Sequence, residues 1–151
     1  MFVRIERTLG NLRDFALGER ELERVAVPSS AMTRRLLRLS SSIGDLGIAF
    51  EGEQRLHDGD VLVADASRVI AVEVEPDDVL IAYPRSIGEA VEIAHALGNR
   101  HVPVQREGDA IVVGFAPALE ALLEKSGIRY ERASRVLEQP FVHAHAPHEH
   151  A

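Results

Sequence analysis

The 151-residue sequence predicts an α+β protein with an all-β first domain, a mixed second domain and a flexible tail. In the first half, short apolar runs alternate with turn residues, and no helical period lasts beyond a turn or two. In the second half, strand-like runs alternate with segments whose apolar residues recur every three or four positions. Because Pro76-Asp77-Asp78 interrupts the pattern, we predict domains at residues 1–76 and 77–137 and a tail at 138–151.

The first domain is predicted to contain six short strands, at residues 3–9, 24–27, 34–39, 46–50, 61–64 and 69–74. Asp58-Gly59-Asp60 is a turn signal, because aspartate and glycine tolerate the backbone angles of a tight turn. Strands of this length and spacing predict a small β-sandwich or partial barrel.

The second domain begins with a predicted strand at 78–83, followed by a helix. Ser86 is the expected N-cap, and Glu89 completes a capping-box pattern. Gly98-Asn99 is expected to end the helix, since both residues tolerate the left-handed conformation. Strands at 102–106 and 110–113, a helix at 117–125 and a strand at 128–136 follow.

This order of elements predicts a ferredoxin-like βαββαβ fold, in which two helices cover one face of a four-stranded antiparallel sheet. The other face must then be polar, pair with the first domain or pack on another subunit.

Composition and motifs exclude several classes of function. The formal charge of −7 disfavours a nucleic-acid partner, and the absence of cysteine leaves only nitrogen and oxygen ligands for a metal ion. No segment has the apolar length of a membrane helix or signal peptide, so we expect a soluble cytoplasmic protein with no membrane partner. No nucleophile elbow, zinc-protease or phosphate-loop motif is present, and the prediction is that the protein is not an enzyme.

Histidine is the most informative residue type. Four of the seven histidines, His143, His145, His148 and His150, fall in the last nine residues. Imidazoles two residues apart on a flexible chain can converge on nickel, copper or zinc. A solvated terminus or a cloning remnant is the alternative, but tags are usually consecutive histidines, so metal binding is favoured.

His101 is the second candidate ligand. It follows the first helix of the second domain, where the negative end of the helix dipole favours a cation. One imidazole is too few for a tight site, but a two-fold dimer with His101 near its axis would supply two. His95 and His57 are interpreted as a solvent-exposed helix residue and a turn residue.

Four segments carry a resemblance to a known family. Leu-His-Asp-Gly-Asp-Val-Leu at 56–62, residues 77–82, Ala-Leu-Gly-Asn-Arg-His-Val-Pro-Val-Gln at 96–105 and the histidine-bearing tail after Pro140-Phe141 resemble the UreE family of urease accessory metallochaperones. The resemblance covers nearly the whole chain. Leu-Gly-Asn-Arg-His-x-Pro is its most specific element.

The resemblance implies a nickel carrier for assembly of the urease active site, with zinc or copper binding possible in vitro. It also implies dimerisation through the C-terminal domain, an ion shared between two copies of His101, further ligands from the tail, and partnership with a urease accessory GTPase and the urease apoprotein complex. The chain departs from many members at His95-Ala96, where they have Tyr-His, and some members have histidines where this chain has residues 116–123. The alternatives are a general nickel, zinc or copper buffer and a ferredoxin-like module that binds a small regulatory ligand.

Overall fold

The computed structural model describes residues 1–141, which form two compact units. The first unit contains residues 1–76 together with 136–140, and the second contains residues 77–135 together with Phe141. The predicted α+β class is confirmed by the mixture of strands and two helices. Within residues 1–141, no helix combines the length and the apolar character needed to cross a membrane.

The first unit contains two three-stranded sheets. The first has the order β1-β4-β3, with β1 at Phe2–Ile5, β3 at Leu36–Ser41 and β4 at Gly44–Ala49. The second has the order β2-β6-β5, with β2 at Glu21–Val27, β5 at Val61–Ala64 and β6 at Arg68–Val74. Each sheet is mixed: β1 and β4 run parallel, as do β2 and β6, whereas β3/β4 and β5/β6 are antiparallel. A short 3-10 helix, Ser29–Ala31, was not predicted.

Alternating side chains from both sheets meet in one apolar core, which includes Ile5, Val25, Leu46, Ile48 and Ile70. All six predicted strands are present, but their ends differ. β1 stops at Ile5 because the chain beyond it pairs elsewhere: the Leu9 N–H donates to the Val61 carbonyl, and the Val61 N–H donates to the Gly10 carbonyl.

The second unit has the predicted order strand, helix, strand, strand, helix, strand. β7 is Asp77–Tyr83, α1 is Ile87–Asn99, β8 is Val104–Glu107, β9 is Ala110–Gly114, α2 is Pro117–Lys125 and β10 is Arg129–Arg135. The four strands form an antiparallel sheet of order β10-β7-β9-β8, so β8 is an edge strand.

Both helices of the second unit pack on one face of this sheet. The shared core contains Leu80, Ala82 and Val113 from the sheet and, from the helices, Ile93, Leu97, Leu119 and Leu123. The opposite face carries polar links between strands, since the Arg135 guanidinium pairs with Glu107 and the Tyr83 hydroxyl donates to Glu131. The sequence analysis expected this face to be polar, to pair with the first domain or to pack on another subunit. The ion pair and the hydrogen bond show that polar side chains form part of it.

Arg132 on the edge strand β10 contacts Asp78 on the neighbouring strand β7 and Phe115, the residue after β9. Its guanidinium donates two hydrogen bonds to the Asp78 carboxylate, at 3.0 and 2.7 Å, and lies 3.6 Å from the centre of the Phe115 ring. These hydrogen bonds lower the pKa of Asp78 below its usual value near 3.8. The ionised carboxylate is thereby favoured in the folded state.

Candidate metal centre

The candidate centre lies at the C-terminal end of α1, and the start of this helix is fixed by its cap. The Ser86 side chain accepts a hydrogen bond from the Glu89 N–H at 3.1 Å, as the sequence predicts. The Glu89 carboxylate, however, accepts from the N–H of Arg85 rather than from that of Ser86. The second hydrogen bond of the capping box is thus shifted by one residue towards the N-terminus, from Ser86 to Arg85.

The helix ends in a Schellman motif with His101 in the left-handed conformation. The His101 N–H donates to the Gly98 carbonyl at 3.0 Å, and the Val102 N–H donates to the Leu97 carbonyl at 3.1 Å. The φ angle of His101 is 56°, and within residues 1–141 it is the one non-glycine residue with positive φ. The prediction that the helix ends at Gly98-Asn99 is confirmed, since Asn99 is the last residue of α1, but the left-handed conformation expected at these residues falls on His101 instead.

Packing explains why the motif falls at His101. Leu97 is 1% exposed and belongs to the core of the second unit, against which Val102 also packs. A Schellman motif is commonly accompanied by such an apolar contact across the helix end. Reversing the chain at Gly98 or Asn99 would give up this placement of Val102.

The local structure places an exposed imidazole on a backbone that two hydrogen bonds hold. L-residues adopt the left-handed conformation at a cost of roughly 1–2 kcal/mol, and asparagine, aspartate and histidine are found there more often than other side chains. The last carbonyls of a helix also carry partial negative charge. His101 therefore occupies a constrained position next to a helix end that favours a cation.

His95 lies on the exposed surface of α1, as predicted, and its Nε2 accepts a hydrogen bond from the Asn99 amide nitrogen at 3.1 Å. One helical turn separates the two residues, so this contact is local.

His57 belongs to the turn between β4 and β5. The carboxylate of buried Asp60 accepts from the His57 N–H at 2.7 Å, and Asp58 accepts from the Val74 N–H at 2.8 Å. These carboxylates shape the turn, which agrees with the interpretation of Asp58-Gly59-Asp60 as turn chemistry.

The predicted metal ligands divide into two sets. His101 lies among the described residues, whereas His143, His145, His148 and His150 lie outside them. Within residues 1–141, no group of three or more His, Cys, Asp or Glu side chains is placed to hold a metal ion. One copy of this described region therefore does not bring three such side chains to one metal ion.

Comparison with known proteins covers both units. Residues 5–75 match the N-terminal domain of the UreE urease accessory protein, and residues 77–151 match its C-terminal domain. The chain is 34% identical to the urease accessory protein UreE of Bacillus cereus over 146 residues, which cover 96% of this chain and 97% of the relative. It is 37% identical to UreE of Corynebacterium efficiens over 147 residues, covering 95% and 99%, and 36% identical to UreE of Geobacillus kaustophilus over 140 residues, covering 92% and 95%.

The two folded units and these full-length matches define a urease accessory protein, which implies a role in urease maturation. The chain belongs to the UreE family.

Proposed function

We propose that this chain is a nickel metallochaperone that delivers nickel for assembly of the urease active site. The observation that carries the proposal is the exposed imidazole of His101, held in the left-handed conformation at the end of α1 in a protein of a urease accessory family. A carrier needs a site that ligands can enter and leave. An imidazole on an exposed but fixed turn meets this requirement.

The second part of the proposal is a homodimer through the second unit, to which we assign a ferredoxin-like fold. Ile87 and Val91 lie one turn apart on α1 and are 85% and 62% exposed, and Val104 on the edge strand β8 is 45% exposed. Together with Ala94 they line a groove of about 620 Å³. Covering this apolar stripe with a second copy would remove it from water, and it would place two copies of α1, the helix that precedes His101, in the same interface.

In this mechanism, two His101 imidazoles share the nickel ion. His143, His145, His148 and His150 complete the coordination shell and are displaced by ligands of the receiving protein. Nickel is the cargo, and zinc or copper can compete for the same nitrogen ligands in vitro. Transfer proceeds by ligand exchange, so the chain performs no catalytic turnover.

We further propose that the chain acts in the cytoplasm and that its partners are a urease accessory GTPase and the urease apoprotein complex. The proposal assigns residues 1–76 to a β-rich domain, residues 77–137 to a metal-binding and dimerisation domain, and residues 138–151 to a histidine-containing tail. Family membership supports a urease-related partner.

The decisive experiment combines nickel titration calorimetry with light scattering. His101→Asn removes the imidazole but keeps a side chain that tolerates positive φ, so we expect at least a tenfold loss of nickel affinity with an unchanged fold. Wild-type affinity and stoichiometry in this variant would contradict the assignment of His101.

Val91→Glu tests the dimer, because it places a charge in the proposed interface. Ala121→Glu, at an exposed position of α2, is the matched control. We expect a monomer from the first variant and a dimer from the second. Transfer of bound nickel to purified urease apoprotein then separates a chaperone from a general metal buffer, which would bind nickel without activating urease.

A further inference from the structure

Phe141 belongs to the second unit, although the residues just before it, 136–140, belong to the first. Its side chain is half-buried. A Cβ atom at Gly114, the last residue of β9, would lie 4.0 Å from Phe141 Cε2, which is an ordinary contact distance between carbon atoms. The ring of Phe141 therefore packs against the end of β9, over a residue that has no side chain of its own.

This contact lies on the sheet face opposite the two helices. Alternate residues of β7 and β9 point to the helices, and Gly114 is not among them. The cross-strand partner of Gly114 is Val79, and the next pair on the same face is Ile81 with Val112. All three of these apolar residues are buried. Phe141 thus adjoins an apolar part of the face, where an aromatic ring is favoured.

Gly114 lies at the same end of the sheet as His101. The first residue of β8, Val104, pairs with Val113, the residue before Gly114. His101 precedes Val104 by three residues, which span at most about 11 Å. Because paired Cα atoms are about 5 Å apart, the Cα atoms of His101 and Val113 lie within about 16 Å of each other.

We propose that Phe141 is a positioning residue for the histidine tail: its contact with Gly114 holds the start of the tail at the end of the second unit that carries His101. This inference rests on the proposed function, in which the tail histidines bind the ion held by His101. His145 and His150 follow Phe141 by four and nine residues, which span up to about 14 and 32 Å. The tail can therefore reach His101 while Phe141 stays in contact with β9.

The contact should raise the effective concentration of the tail imidazoles, because it shortens their tether. The buried residue nearest before Phe141 is Leu137. Without the aromatic contact, the tether to His143 would lengthen from two residues to six, and that to His150 from nine to thirteen. For the flexible tail that the sequence predicts, effective concentration falls with about the −3/2 power of tether length, which gives decreases of about fivefold and twofold.

The test measures the nickel affinity of the full-length chain by competition with a chromogenic chelator. Phe141→Ala should weaken nickel binding about two- to fivefold, whereas Phe141→Tyr keeps the ring and should keep wild-type affinity. Gly114→Leu should weaken binding as Phe141→Ala does, because a side chain of that length would occupy the place of the ring. Gly114→Ala is the matched control and should bind as wild type, since its Cβ meets the ring at an ordinary contact distance.

A second set of variants separates positioning from a purely structural role. In this background, the full-length chain has alanine in place of His143, His145, His148 and His150. Phe141→Ala should leave the residual nickel affinity of that chain unchanged, because the tail then has no imidazole to deliver. Its effect on the melting temperature should be the same in both backgrounds.

Three results would overturn the proposal. The first is wild-type affinity in Phe141→Ala when replacement of the tail histidines does lower affinity, which would leave the proposed function standing without this anchor. The second is an equal loss of affinity on Phe141→Ala with and without the tail histidines, which would show a structural effect on the second unit. The third is unchanged affinity after replacement of the tail histidines, which would contradict the role of the tail in the proposed function and this inference with it.

Discussion

Replacing His101 by glycine or by alanine should change the stability of the fold in opposite directions. The left-handed conformation of residue 101 costs an L-residue roughly 1–2 kcal/mol, and glycine adopts it without that cost. Glycine also has more conformational freedom than alanine in the unfolded chain, and losing this freedom on folding reduces the gain by about 0.5–1 kcal/mol. We therefore expect the glycine variant to be more stable than the alanine variant by about 1 kcal/mol, with wild type between them.

For a chain of 151 residues, 1 kcal/mol corresponds to about 2–4 °C in Tm, which differential scanning calorimetry resolves. Gly98 provides a control at which alanine should be more stable than glycine, the reverse of the order expected at position 101. It lies inside α1, and a Cβ atom there would have no neighbour within 4 Å, so Gly98→Ala should stabilise the protein by about 0.5–1 kcal/mol.

Nickel binding should respond differently from stability, since the glycine and alanine variants at position 101 both lack the imidazole and should lose affinity equally. If the alanine variant melts at or above the temperature of the glycine variant, residue 101 does not hold a positive φ in solution, and the argument from the Schellman motif fails.

Three further predictions concern other parts of the chain. Deleting residues 142–151 should lower nickel stoichiometry or affinity while leaving the melting temperature unchanged, and equal binding by the truncated chain would make the tail histidines dispensable. Asp78→Asn should lower stability near neutral pH, because the depressed pKa of Asp78 means that the folded state favours the carboxylate. This contribution is complete above the unfolded value near 3.8 and is lost as pH falls through the lower folded pKa, so thermal melts of wild type and variant should converge in acid. Leu97→Ala should destabilise the chain by about 2–5 kcal/mol in urea titrations, because Leu97 is 1% exposed, and a loss below 1 kcal/mol would show that the end of α1 is not packed as described.

Local patterns in the sequence were sufficient where short-range chemistry decides the structure. Ser86 and Glu89 marked the start of α1, and Asp58-Gly59-Asp60 marked a turn that its carboxylates do stabilise. The end of α1 at Asn99 was predicted, but the left-handed position was expected too early in the chain, because glycine and asparagine permit that conformation without requiring it. The contact of Val102 with the core, which depends on the tertiary structure, selects where the reversal occurs.

Pairing between distant strands carries no comparable local signal. The sequence predicted all six strands of the first unit but not the parallel pairs, in which Val3 meets Leu46 and Val25 meets Val72. Residue type and position in the sequence were enough to select His101 as a candidate ligand, but its left-handed backbone conformation could be seen only in the structure. That conformation is unusual for histidine, and only neighbouring packing reveals why it is adopted here.

The connection between the units has a consequence for biosynthesis. Asp77 and Arg135 are paired neighbours on β7 and β10, so the chain enters and leaves the second unit at adjacent points. The segment that follows, residues 136–140, belongs to the first unit, where Leu137 is 7% exposed. The strands and helices of the second unit thus interrupt the first unit along the chain. As the chain leaves the ribosome, residues 136–140 emerge after all of these elements, so the first unit cannot be completed until the strands and helices of the second unit have been synthesised.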